Sequence, residues 1–457
     1  MKSVFDSVLV RIRPSPSLGL AAFFTSAFHQ TERKAPAKAS EPTTRSGEGR
    51  GLWSSEERIG GFLALGILLL ITLGDPSGAS IIQILAVLAW PFVTLWYATS
   101  GRISVVTTFS VIMGFMLRWP GLSGSGDSDV LPDTSEAIAT LLHGGNPYNH
   151  LYLAEKPMSF IFPYPPGELF LHLPGYLLGG LAGVRATELF AALMIMAIFV
   201  WLARRKSPLT ALPALALYAT LPNLVFLSTD ASNDTSTGCV LLLVVLALMW
   251  AINRGFAGHS LTIAAILAGV AISTKQTAIF VVLMLAVFLW QRFGRRPALR
   301  FTAIAILTFF CLALPFLFMG PGQFIQQMIQ QISAHDIVFG WNIWVVAQGL
   351  GWAIPKASTT TLFELMAIAL VTLLMLKLRY SHLSMAVLAG LAITVTALLT
   401  ARWTTFAYFA EVAPLVLLLP TLIRQEIIVK ARQSRDPQEK IGLFTLDEAT
   451  LVRYKPL

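Results

Sequence analysis

Acidic side chains cluster in two places where they are set up for proton transfer. The first is a glycine- and serine-rich stretch, Gly121 to Asp129, followed by Asp133, which presents Asp127, Asp129 and Asp133. The second is Thr229-Asp230-Ala-Ser-Asn233-Asp234-Thr235. A carboxylate held near a substrate hydroxyl can take its proton as that oxygen attacks. A leaving group that departs as an anion then needs a cation or an aimed dipole, and Arg402, in the short turn Arg402-Trp-Thr-Thr405, has the planar fork that suits a phosphate. Tyr148, Tyr152, Phe160 and Tyr164, interleaved with prolines, offer flat apolar surfaces for a ring or a hydrocarbon chain. His335 and Glu411 complete the candidate binding set.

The elements that must position these groups are membrane helices. Of the 457 residues 55% are hydrophobic and only 12% charged, against about 25% charged in an ordinary soluble protein. Uncharged runs such as 62–74, 209–229 and 301–320 approach the roughly 20 apolar residues that cross a bilayer. The composition excludes a soluble enzyme, a nucleic-acid binder and a disulfide scaffold, despite a net charge of +9. Cys239 and Cys311 lie in separate apolar runs and read as small core residues.

The expected fold is all-α and polytopic, with about ten spans at 59–73, 80–98, 103–119, 185–203, 209–228, 236–252, 299–318, 361–378, 383–401 and 405–423. Residues 261–290, broken at Lys275-Gln276, read as a re-entrant helical hairpin. Residues 1–58 form a basic leader and 424–457 a basic tail. Basic residues dominate one set of loops (Arg102, Arg204, Arg205, Lys206, Arg254, Arg292, Arg295, Arg296, Arg300, Lys377 and Arg379), and that set carries no acids. By the positive-inside rule both termini are cytoplasmic, and the large loop 120–184 is external. Arg118, Glu168, Arg185, Glu188, Glu364 and Glu411 then fall toward the outer side and suggest an outward polar cavity. Lys275 is placed near the cytoplasmic side, as a lysine snorkelling at a helix junction.

Within the large loop, Asp133-Thr-Ser-Glu136 is a capping-box pattern that predicts a short helix ended by Gly144-Gly145. Residues 168–183, with Pro174 and several glycines, predict a broken juxtamembrane helix. Asn233 or Asp234 is expected to cap the next helix. Glutamines at three- and four-residue spacing from Gln323 to Gln331 predict a solvated amphipathic helix.

The order of an acidic loop, a short helix, Gly144-Gly-Asn-Pro-Tyr148 and Tyr164-Pro-Pro-Gly167 resembles polytopic glycosyltransferases of the GT-C fold, most closely their mannosyltransferase-like branch. The resemblance implies an inverting sugar transfer from a polyprenyl-phosphate donor to a lipid, glycan or protein acceptor at the outer face of a cytoplasmic (inner) membrane. It implies Asp129 as the catalytic base, from its spacing to Gly144, with Asp133 the other candidate. It also implies Arg402 as the donor-phosphate partner, and Asp230 or Asp234 as an acceptor contact or a ligand of a possible divalent cation. No other cofactor and no nucleic acid is expected. The competing reading is a multi-pass transporter or lipid flippase with an outward acidic cavity.

Overall fold

The computed structural model describes residues 103–122, 128–152, 162–205, 207–333 and 337–435. The leader, the expected spans 59–73 and 80–98, Asp127, Phe160, His335 and residues 436–457 lie outside the described residues. The described chain is helical: α1 (Ile103–Arg118), α2 (Val130–Leu142), α3 (Gly167–Arg205), α4 (Pro208–Thr220), α5 (Pro222–Leu227), α6 (Asp234–Asn253), α7 (Ser260–Thr274) and α8 (Ala278–Phe293). There follow α9 (Arg295–Met319), α10 (Pro321–Ser333), α11 (Ile343–Gly349), α12 (Ala357–Lys377), α13 (Leu383–Thr400) and α14 (Tyr408–Arg435). The strands β1 (Phe339–Gly340) and β2 (Trp403–Thr404) pair in parallel.

Among the described residues, five helices are long and apolar enough to cross a membrane, namely α3, α6, α9, α12 and α13. Stretches of α1, α4, α7 and α8 are apolar but shorter. The span expected at 209–228 is two helices, because Pro222 lacks the N–H that would continue α4 and instead opens α5. The last span does not stop at 423, since α14 continues to Arg435. Residues 167–205 break where the glycines predict, with Gly179 and Gly180 leaving helical geometry and Gly180 taking φ +56°.

Hydrogen bonds between helix ends define two ends of the bundle. At one, Arg204 at the end of α3 reaches Thr107 on α1, and Arg424 on α14 reaches Ser207. Thr210 meets Thr421, and Gln291 joins the α12–α13 connection at Leu378 and Tyr380. This end carries Arg204, Arg205, Arg254, Arg292, Arg295 and Arg296. The opposite end gathers the acidic loops.

α6 lies in the middle of the core, and its Gly238 lets the backbone of α14 approach: a Cβ there would sit 2.8 Å from the Glu411 carbonyl oxygen. Such small-residue contacts hold helices together where lipid offers no hydrophobic contrast. α12, by contrast, buries only Thr360 and turns its leucines and Met366 outward.

Candidate active site

The two acidic loops are clamped together by their backbones. Ser128 N donates to Asp230 O and Leu131 N to Ala231 O, both at 2.9 Å. The second bond satisfies an N–H in the first turn of α2 that a side-chain cap would otherwise take. This is why α2 starts at Val130, earlier than the Asp133 capping box predicts. Asp129 occupies the N-cap position without a side-chain cap bond, and Glu136 pairs with His150 at 2.6 Å instead of capping. Ala231 is held at φ +71°, a conformation that costs a non-glycine residue about 1–3 kcal/mol. The Leu131 bond to its carbonyl is one of the contacts that hold it there.

Asp129 is half-buried. Asp133, one turn on, is buried at 1% exposure. Asp230 is nearly buried, and Ser232 N donates to its Oδ1 at 2.9 Å. Burial pushes the Asp230 carboxyl up to about 7, and nearby Asp234 and Glu188 push the same way against the Ser232 bonds. Asp230 and Asp234 do not share a helical turn, because Asp230 sits in the connection before α6 while Asp234 opens that helix.

The group that sequence reasoning misplaces is Lys275. It ion-pairs with Asp234 and lies over the Tyr408 ring, 4.1 Å from its centroid. α7 and α8, 15 and 16 residues long, carry the hairpin tip to the acidic end of the bundle. The expectation that Lys275 lies near the basic end therefore fails; the break in hydropathy is legible, but the depth reached by the tip is not. Two further bonds fix the tip: Thr277 Oγ1 donates to both Glu411 oxygens at 2.8 and 2.6 Å, and Gln276 donates to Pro163 O at 2.8 Å.

Next to Pro163, Tyr164 lies within electrostatic range of Tyr408, Asp129, Asp234 and Glu168. Burial, reinforced by these neighbours, holds its phenol well above the ordinary value, so it remains a proton donor. Tyr148 and Tyr152 are fully buried and pack with Phe162, and Tyr148 also meets Phe316 and Phe324. They build the loop's own core and offer no surface to a ligand, contrary to expectation. Gln327, on the predicted amphipathic helix, is buried and bridges Tyr148 O and Phe162 N.

Arg402 is also engaged elsewhere. Its Nη1 donates to Pro355 O at 2.7 Å and Thr360 Oγ1 at 3.2 Å, while its carbonyl accepts from Phe339 N and Asn342 Nδ2. It ties the 337–360 segment to the α13–α14 turn. Arg118 is a helix-end staple: its guanidinium reaches Ser228 Oγ and the carbonyls of Gly114, Tyr218, Ala219 and Leu224. A small open cleft beside the 228–231 turn is lined by Arg118, Arg185, Glu188, Ser228 and Thr229. Asn233 makes no side-chain cap bond; Glu188 Oε2 accepts from Ser236 N in its place. Among the described residues, no three His, Cys, Asp or Glu side chains are grouped to hold a metal ion.

Residues 169–318, about a third of the chain, match the model of the dolichyl-phosphate-mannose-protein mannosyltransferase family. The matched stretch contains Asp230, Asp234 and Lys275; Asp129 and Arg402 lie outside it. No curated protein matches the chain.

Proposed function

We propose that this chain is a membrane glycosyltransferase that takes a sugar from a polyprenyl-phosphate donor and passes it to an acceptor at the outer face of a cytoplasmic membrane. The observation that carries the reading is the meeting, at one end of a helical bundle, of the clamped Asp129 and Asp230 loops with the Lys275–Asp234 pair. The family match over residues 169–318 supports a lipid-phosphate donor.

Asp129, the half-buried carboxylate at this end, takes the proton of the acceptor hydroxyl as that oxygen attacks the anomeric carbon. The bond from that carbon to the phosphate oxygen breaks, and its electron pair leaves with the polyprenyl phosphate. A single displacement of this kind inverts the anomeric centre. Lys275, rather than Arg402, is the cation placed to meet the charge growing on the leaving phosphate. Asp234 holds the ammonium in place until then, and the Tyr164 phenol supplies a second donor. Asp230 and Glu411 border the acceptor side. The basic residues at the other end support a cytoplasmic position for that end.

The test is transfer by Asp129→Asn, which keeps the size of the side chain but cannot accept the proton. Positioned acid–base groups contribute about 10²–10⁴-fold. The variant should therefore lose transfer on that scale while still binding donor. Wild-type turnover in this variant would remove Asp129 from the reaction.

A further inference from the structure

Glu168, His172 and Glu188 lie inside the bundle and take no part in the transfer step. Ionisable groups in such surroundings are expensive to keep. All three are at most 2% exposed. His172 Nδ1 is 3.1 Å from Glu168 Oε1 and 3.0 Å from Glu168 O, and Nε2 is 2.9 Å from Glu188 Oε1. Every one of these partners is an acceptor, so a ring with a proton on each nitrogen satisfies both sides. One positive charge then stands between two carboxylates.

The chain of bonds continues beyond the three residues. Thr134 Oγ1, on α2, donates to Glu168 Oε1 at 3.3 Å. Ser236 N, in the first turn of α6, donates to Glu188 Oε2 at 2.9 Å, and the positive end of that helix favours the carboxylate. α2 follows directly on Asp129, and α6 begins with Asp234.

We propose that His172 is a positioning residue: through Glu168 and Glu188 it fixes the helix behind Asp129 to the helix that carries Asp234. The base and the carboxylate that holds Lys275 then keep one spacing while donor and acceptor enter and leave. This role rests on the transfer reaction proposed above. A glutamine at 172 has one amide group and can donate to one carboxylate but not bridge both across the ring.

The experiment combines transfer kinetics with hydrogen–deuterium exchange, read by mass spectrometry, on the full chain in detergent. His172→Gln should lower kcat at least tenfold with donor KM within twofold of wild type. It should speed exchange in 128–142 and 228–238 together, leaving 254–262 at the wild-type rate. Glu188→Gln still accepts from Ser236 N but turns an amide N–H, not an acceptor, toward Nε2; the charged ring then loses its second carboxylate, which should give the same loss. The double variant should be within threefold of either single one, because both cut the same bridge. Wild-type exchange in both segments of both variants overturns the proposal, whatever the activity. If His172→Gln is not recovered folded, Glu188→Gln carries the same comparison. Faster exchange in both segments, in a chain whose wild type transfers nothing, supports the bridge and overturns the transfer reading instead.

Discussion

Lys275 has two jobs, and substitutions can separate them. It neutralises the buried Asp234, and in the proposed transfer it offers a cation to the leaving phosphate. Removing one partner of a buried pair leaves an uncompensated charge, at a cost of about 3–5 kcal/mol. Lys275→Met alone should thus lose both stability and transfer. Asp234→Asn with Lys275→Met removes the pair as a unit, so the melting temperature should return most of the way toward wild type. Transfer should stay at least a hundredfold down, because the cation is still missing. A double variant that regains activity along with stability would reduce Lys275 to a counter-ion. At this scale the sequence is half legible. Residue types mark Asp129, Asp230, Asp234 and Glu411 as candidates. The partners of Arg402 and the inward packing of Tyr148 depend on contacts made far along the chain, which spacing does not encode.

The break in α3 is the element on which the proposed bridge depends. Gly179 and Gly180 turn the chain so that 167–178 folds back against 181–205, with Gly175 and Gly183 in backbone contact. A Cβ on Gly183 would overlap the Gly175 carbonyl, and one on Gly175 would overlap the Gly183 carbonyl and Thr187 Oγ1. Neither carbonyl is a flexible side-chain end that can swing away. Gly183→Ala should therefore push 167–178 off the bundle and separate His172 from Glu188. The expected result is a sharp loss of monodisperse protein on size exclusion. Gly322→Ala, with open space around its Cα, should behave as wild type; equal behaviour of the two variants would show that the contact does not hold the element. The sequence shows where some helices break, as at 179–180 and Lys275, whereas the break at Pro222 falls inside what reads as one span. It does not show how deep a hairpin reaches, because the 15 and 16 residues of α7 and α8 suit a shallow or a deep tip equally well.

At the scale of the whole molecule, charge divides between the two ends. Among the described residues, arginines crowd one end, and carboxylates, tyrosines and the paired Lys275 crowd the other. That division is legible in the amino-acid sequence alone, since it needs only hydropathy and the loop charges. The pairing of the two acidic loops is not, since it rests on two backbone bonds between segments about a hundred residues apart. A lipid-linked donor needs no nucleotide-binding domain, and it brings its phosphate to the membrane surface where the acidic end lies. The most direct measurement is sugar transfer by the wild-type chain in vesicles of defined orientation, given a labelled polyprenyl-phosphate sugar on one side. Released polyprenyl phosphate and labelled acceptor should form when the acidic end faces the added substrates, and a nucleotide sugar should not substitute for the donor. Release only when the arginine-rich end faces the substrates, or no release from any polyprenyl-phosphate sugar, would contradict the account.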